Sequence, residues 1–512
     1  MTRYHAVMTN MRRVWVHAVA IVLSMGLTVA VVWRAGMTRR WVEPLIAVSQ
    51  GELVRPIELR VWDWWSPAAN EEHGYYFDEI KRTFEQRNPG VKVIYQMVPF
   101  TNYVQKLATA MVGSRPPDVF ESSVYWAEGF YQRGMLLPLN NLLATDGGDT
   151  SETRITEEAF LPAAWKHNHT ADGTVFGIPQ IIDANCLIWN LDLLQAASAD
   201  NEQIRNLFVT DESGRIDYDR IRFDAIRNWD HFRQVMKLLT AFDENGVMTR
   251  SGYVLTAYDG GVGLFTPWLA SNGGRYQDAA GTKAMFDSPN GVQTMDFIAQ
   301  LRWKDEVCPP FRRVLSPSDL FTEGAVACIL AGTWSGKDIR RDTQGWQHFG
   351  KTAFPPGPMG AGQRTVSWGN MMVISRKCRN LDIAWRYIKF VCSLEGNLIR
   401  LKHLGYNGPR LDFYETAQWA RAVEQSPYLS NIKDICLSGD KLRHTEIAAA
   451  NHQANPIFQT VLLRYPAIAE GNGPYQSVAT ALSGAADAVD AVFYRFNRQV
   501  ESWRFELNES ND

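Results

Sequence analysis

The sequence holds no long basic run, no Cys-x-x-Cys pair and no Cys/His set at zinc-ligand spacing. A nucleic-acid backbone is held by clustered Lys and Arg, and the formal net charge here is −3, so no nucleic-acid partner is expected. Without zinc-type spacing, no structural or catalytic metal centre is expected either. Neither HExxH nor GxSxG occurs, which removes the zinc-peptidase and hydrolase-elbow readings. Gly260-Gly261-Val262-Gly263 lacks a strand-like run before it and has the wrong glycine spacing for a dinucleotide fold. No repeat and no low-complexity tract is visible. The six cysteines (186, 308, 328, 378, 392, 436) show no readable pairing. Buried free thiols are the default, with one or two disulfides open in an oxidising compartment.

Aromatic surface is abundant. The chain of 512 residues has 18 tryptophans, and VWDWWSP at 61–67 places three of them within four positions. Hydrophobic residues at 46% and charged residues at 21% describe an ordinary globular protein, and the length predicts more than one lobe. Residues 14–33 carry no charge apart from a titratable His17; twenty such residues make ~30 Å of helix, about one hydrocarbon core. This reads as an uncleaved anchor or a signal peptide. The length favours the anchor, Thr28-Val29-Ala30 resembles a cleavage site, and no cysteine for a lipid anchor follows closely. Arginines on both flanks leave its orientation open. Either way, residues 57 onward are expected to be exported.

After a polar tether at 35–56, IELRVW (57–62) alternates as a strand, and 71–87 is helical with Phe77, Ile80 and Phe84 on one face. VKVIYQMV (91–98) is a second strand. Thr101 or Asn102 would cap a second helix through Met111, and DVFES opens a third strand. This β-α-β-α-β order predicts an open parallel sheet whose ligands sit beyond the carboxyl ends of its strands. Those ends are Trp64-Trp65-Ser66 and Glu121-Ser122-Ser123. Residues 200–228 read as an inserted loop; 229–242, 290–303 and 382–394 read as helices.

The motif order over roughly 57–500 resembles the extracellular sugar-type solute-binding proteins of ABC importers. Five stretches carry this: FEQRNPGVKV with Tyr103–Leu107; PPDVFES with GMLLPLNNLL; GTVFGIPQIIDANCLIWNLDLL; FTEGAVACILAGTW; and FPPGPMG followed by SWGNMMVIS and NLDIAWRYIKFV. The resemblance implies an α/β, two-lobe periplasmic-binding-protein fold (type II). The first lobe would span 57–181 plus 369–415 and the second 185–366 plus 416–505, behind an N-terminal segment 1–56.

A sugar offers apolar C–H faces and a ring of hydroxyls, so its site needs aromatic platforms and short, fixed polar groups. The matching positions are Trp64, Trp65 and Ser66; Glu121 and Ser122; Asp183 and Asn185 in the first crossover; Trp268 and Trp334 as second-lobe platforms; and Trp368, Gly369 and Asn370 in the return crossover. One or two of Trp62, Trp64 and Trp65 should serve the core instead. The expected function is capture of a carbohydrate between the lobes and its delivery to ABC permease subunits. The protein would act as a monomer, without cofactor or catalysis, and be held to the membrane through 14–33. The alternatives are an exported glycan-active enzyme and a sensory ectodomain. A polyol-phosphate ligand would need Arg364 or Arg410 to face inward.

Overall fold

The computed structural model describes residues 56–509 except 69, 114, 146–153, 256–260, 310–316, 343–344, 347 and 442–446. The apolar segment 14–33 and the tether lie outside the described residues. Among the described residues no helix is long and apolar enough to cross a membrane.

The chain divides into two compact units: one reaches to Leu59 and includes Lys81–Ile94, the other comprises Arg60–Ile80 and everything from Tyr95. Strand β1 (Ile57–Asp63), helix α1 (Glu71–Arg87) and strand β2 (Val91–Met97) each contribute to both. Within the smaller unit the Ile57 amide donates to the Gly90 carbonyl at 2.8 Å, and the Val93 amide to Glu85 at 2.8 Å. Gly90 has φ +85°, a conformation that a side chain disfavours, and so lets the chain turn after α1.

The larger unit is built on a mixed sheet. Its remaining strands are β3 (Val119–Ser123), β4 (Ile178–Asn190), β5 (Phe208–Thr210), β6 (Ile216–Ile221), β7 (Ala241–Phe242), β8 (Met248–Tyr253), β9 (Val326–Gly332), β10 (Phe349–Thr352), β11 (Thr365–Ile374) and β12 (Gly439–Lys441). The main order is β1-β3-β11-β4-β9-β8-β7, with β10 beside β4 and β12 beside β11. β1 and β3 are parallel, as the β-α-β pattern predicts. β11 runs antiparallel to both β3 and β4, because it returns to this sheet from the far end of the chain. β4 changes neighbours along its length. Ile178–Ala184 pair with β11, and Asn185–Trp189 with β9, while Leu187–Asn190 also pair with β10. All of β4 is buried, which suits its nearly continuous apolar run.

Helix α2 (Phe100–Val112) buries Tyr103, Leu107 and Met111; it starts at Phe100 after Pro99 with no side-chain cap, not at Thr101 or Asn102. Helix α3 (Val124–Gln132) is capped by Ser123, whose hydroxyl accepts from the Tyr125 amide. Helices α4 (Trp229–Leu239), α5 (Val262–Ser271), α6 (Pro289–Trp303), α7 (Leu381–Cys392), α8 (Leu394–Leu404), α9 (Ile447–Ala469) and α10 (Val478–Glu509) follow. One hydrophobic centre gathers Trp62, Tyr103, Phe120, Phe130, Met371 and Val373. Another gathers Trp189, Trp229, Phe232, Phe297, Phe458 and Phe493. Trp62 is therefore a core residue. All six cysteines are free, five of them buried.

Residues 200–228 are not an irregular loop. They form a short helix (Glu202–Arg205) and the hairpin β5–β6. Ile204, Leu207, Phe208 and Ile221 plug into the second hydrophobic centre, and Asp211 closes the turn by accepting from the Ser213 and Arg215 amides, each at 2.9 Å. Polar composition hid these four anchors.

Trp268, expected as a sugar platform, has no exposed surface. Its ring lies 4.8 Å from Phe354, 5.0 Å from Phe232 and Phe297, and 6.0 Å from Trp229. A residue on α5 ringed by these four aromatics and Tyr253 is packing, not platform. Trp268→Ala should therefore cost about 3–5 kcal/mol in urea unfolding while ligand affinity of the folded fraction stays unchanged.

Candidate sugar-binding cleft

Register puts two acids side by side. Val61 pairs with Val119 and Trp62 with Phe120, so the next residues, Asp63 and Glu121, are neighbours on one sheet face. Both are buried. Like charges so placed cannot both ionise cheaply. Burial, the Glu121 charge and a hydrogen bond with Glu121 hold the Asp63 carboxyl well above its usual range.

Glu121 then organises the surface above it. Its Oε1 accepts from the Trp65 indole Nε1 at 3.0 Å and from Asn370 Nδ2 at 2.6 Å. The Trp65 amide donates to Asp63 at 2.9 Å. Gln180 donates to Glu121 Oε2 at 3.2 Å and accepts from Arg400. Arg400, itself buried, donates to the Tyr76 hydroxyl at 2.8 Å and stacks on that ring at 4.7 Å. Glu121 is thus a support beneath Trp65 and Asn370. Ser122 alternates to the opposite face of β3 and is fully buried. Ser66 holds its own loop, accepting from the Ala68 amide at 3.2 Å.

The crossing strands supply the second group. Trp368 pairs with Asp183 and Asn370 with Ile181, so Trp368 and Asn370 share one face of β11 while Asp183 and Asn185 share one face of β4. Asp183 accepts from the Thr333 hydroxyl at 2.9 Å. Burial pushes its pKa up to about 7, against the pull of Thr333, Lys351 and Arg400. Lys351 is buried as well, which lowers its pKa to about 8; its Nζ donates to the Thr333 carbonyl at 2.7 Å. Thr333 therefore ties the acid to the cation. Asn185 is buried, and its carbonyl accepts from the Thr365 hydroxyl at 2.7 Å.

Two aromatic pairs flank these groups. Trp334 and Trp368 meet at 4.9 Å and 62°. A Cβ on Gly332 would fall inside the Trp334 ring, so only glycine lets that ring fold back over β9. Trp65 lies 5.3 Å from Tyr406 and 5.2 Å from His73. Trp64, on the same loop, packs against Tyr103 and Trp126 beside the first hydrophobic centre and meets Trp65 at 6.5 Å. Gly369, expected to admit ligand, serves strand contact instead: its Cβ would stand 2.1 Å from the Ile181 carbonyl oxygen.

Sequence reading missed Asp63, Gln180, Arg400, Tyr406, Thr333 and Lys351. The first of these had a signal, since an acid at the end of an apolar strand demands partners. Tyr406 follows Gly405, whose φ of 66° ends α8, and the glycine alone marked that corner. Arg410 is buried against Asp412, with contacts of 2.9 and 2.6 Å, and Arg364 is exposed, so the basic groups a phosphate would need are committed or outside.

The stretch GWQHFGKT, 345–352, fits the GxxxxGK[ST] spacing of phosphate-binding loops in letters only. A phosphate cradle needs a glycine loop running into a helix. Here Gly350, Lys351 and Thr352 are strand β10, paired with β4, and Thr352 accepts from the Trp189 indole at 2.9 Å. Among the described residues no group of three or more His, Cys, Asp or Glu side chains is placed to hold a metal ion.

A family model described as bacterial extracellular solute-binding protein matches residues 68–397. A Brucella abortus protein described as a binding protein is 24% identical over 359 residues, 70% of this chain and 77% of that one. A maltooligosaccharide ABC transporter solute-binding lipoprotein of Streptococcus pneumoniae is 22% identical, covering 64% of this chain and 67% of its own. Among solved structures, the sugar-binding protein of Xanthomonas citri superposes with TM-score 0.67 at 18% identity, covering 88% of this chain and 99% of that one. The cyclic alpha-maltosyl-1,6-maltose binding protein of Arthrobacter globiformis gives 0.66 at 19%, covering 86% and 99%. The fold is thus the two-lobe α/β solute-binding fold.

Ionising Asp183 in place is costly, and the sign follows from its shift. Its folded pKa, about 7, lies above the ordinary 3.8, so the folded chain holds this proton more tightly than the unfolded chain. The stability this confers is complete below about pH 4 and is lost as pH rises through about 7. Asp63 contributes with the same sign. Asp183→Asn should flatten that slope by at most about 4 kcal/mol, read from urea unfolding at a series of pH values between about 4 and 8. An unchanged slope would mean that Asp183 stays ionised and solvated.

Proposed function

We propose that this chain, which belongs to the bacterial extracellular solute-binding proteins, captures a carbohydrate between two lobes and passes it to an ABC-type import permease. The observation that carries the sugar reading is the pairing of aromatic rings with short polar groups at the strand ends. Trp65 with Tyr406, and Trp334 with Trp368, stand beside Asn370, Asp183 and Asn185. Rings take the C–H faces of a pyranose; amides and carboxyls take its hydroxyls. The committed basic groups argue for a neutral ligand. The sugars named for the S. pneumoniae and A. globiformis proteins support the same class.

The lobes are 57–181 with 369–415, and 185–366 with 416–505. Two hydrophobic centres support this division, one drawing on the first set of segments and the other on the second, while a third joins Leu161 and Phe413 of the first set to Cys186, Phe349 and Ile435 of the second. So does the switch of β4 from β11 to β9 at Ala184–Asn185. Capture works by closing the lobes on solute, and the closed form is what the permease recognises. The protein acts as a monomer, held at the outer face of the membrane by residues 14–33 or released if that segment is cleaved. It does no chemistry on its ligand: Asp63 and Glu121 are engaged with each other and with Trp65 and Asn370, which leaves no free acid–base pair at that end of the site.

Titration of the full chain with mono- and oligosaccharides, followed by tryptophan fluorescence and product analysis, tests this. Saturable quenching without product is the expected result. Trp65→Ala should raise the Kd about tenfold or more, the loss of one stacking platform. Turnover of the sugar would replace the binding reading with an enzymatic one.

A further inference from the structure

The short helix Ser335–Asp342 begins directly after Trp334, and Lys337 lies in its first turn. The helix is seated on second-lobe segments. A Cβ on Gly336 would stand 2.5 Å from the Tyr428 ring, and Arg340 donates to the Ser426 hydroxyl at 3.1 Å. Lys337 instead reaches first-lobe segments. Its Nζ forms an ion pair with the Glu72 carboxylate, in the first turn of α1. The same Nζ donates at 3.2 Å to the His403 carbonyl, in the last turn of α8.

Those two partners are fixed without Lys337. The Glu72 amide donates to Asn70 Oδ1 at 3.0 Å, which caps the start of α1. Glu79 of α1 accepts from Lys402 at 2.7 Å, and His403 Nε2 lies 2.5 Å from the same oxygen, so α1 and α8 are joined. The end of α8 suits a cation, because its last carbonyls carry the negative end of the helix dipole and Glu72 adds a full charge. Gly405, which ends α8, leaves room for the lysine stem: a Cβ there would stand 3.7 Å from Lys337 Cδ.

The contact also ties together the segments that bear the rings. Lys337 is three residues after Trp334, Glu72 seven after Trp65, and His403 three before Tyr406. The hydrophobic centre that both lobes share takes in Leu394, Leu398 and Leu401, from α8, but among the described residues none from α1. Lys337 therefore supplies a link to α1 that this centre does not. Both charged side chains are partly exposed, so the pair is open to salt, and a pair of this kind shifts an equilibrium about two- to fivefold.

We infer that Lys337 is a positioning residue for solute capture: paired with Glu72 and with the end of α8, it holds the closed arrangement of the lobes and so sets affinity without touching the solute. This rests on the two-lobe carbohydrate reading above. A neutral solute brings no charge of its own, so a salt dependence of its binding has to come from charges on the protein. The probe is the tightest binder among glucose, maltose, maltotriose and cellotriose, titrated against the full chain by calorimetry. Lys337→Met should raise the Kd about threefold, since the competent closed form is less populated. Glu72→Gln should do about the same, and the double variant should be no weaker than Lys337→Met alone. Salt raised from about 20 to about 500 mM should weaken the wild-type chain about threefold and leave Lys337→Met unchanged. A second measurement needs no sugar. Spin labels on Gln105→Cys and Lys304→Cys, both exposed, in a Cys378→Ser background report the distance between the lobes. Lys337→Met should deplete the short-distance population, as high salt does in the wild-type chain. Additive effects of Lys337→Met and Glu72→Gln, or equal salt dependence of wild-type and variant, overturn the role of Lys337 while carbohydrate binding stands. If none of the four saccharides binds the wild-type chain, the carbohydrate reading falls. The spin-label distances then decide alone, and identical distributions for wild-type and Lys337→Met overturn the closure role.

Discussion

Gly369 has no Cβ, and a Cβ there would stand 2.1 Å from the Ile181 carbonyl oxygen. This near contact is the constraint on which the site depends. It lets β11 press against β4, with a register irregularity following at Asn370/Met371. The pairing that results sets Trp368 opposite Asp183 and Asn370 opposite Ile181. From Asn370 the amide reaches Glu121, and through Glu121 the arrangement extends to Trp65 at the end of β1. Two strands far apart in sequence thus fix the positions of groups from four segments.

The polar groups below the rings are held in balance. Asp63 and Glu121 would repel if both were ionised, and this repulsion together with burial raises the Asp63 carboxyl, while Gln180, held by Arg400, hydrogen-bonds Glu121. Asp183 and Lys351 are buried at the other end, each pushed toward its neutral form and joined through Thr333. A buried, hydrogen-bonded polar floor lies under half-buried rings and limits how far they can turn. It also costs ionisation energy that a purely apolar floor would not.

Much of the fold could be read from the letters. The first three strands and the helices between them follow from alternation and helical spacing, and β4 from an apolar run too long for an exposed strand. The antiparallel course of β11 could not be read, because nothing local tells a return strand which neighbours it will meet. The hairpin at 208–221 was obscured by the charged residues around its four buried anchors. For the proposed site, residue type at strand ends suggested Trp65 and Glu121, and the family resemblance suggested Asp183, Trp334, Trp368 and Asn370. Neither could separate the roles of support and contact, since Glu121 and Asp183 look alike in a sequence.

The sequence by itself determined the ingredients: an apolar stretch at 14–33, an α/β order, a surplus of tryptophan and acids at strand ends. Those are properties of composition and of periodicities two and 3.6 residues long, which a chain carries wherever it folds. Only tertiary structure decided what each did. It buried Trp62 and Trp268 and set Trp64 against the first hydrophobic centre. It gave Gly369 to strand packing and joined Asp63 to Glu121 across parallel strands. Burial and partner identity depend on segments hundreds of residues apart meeting in one place, and no local pattern encodes that meeting.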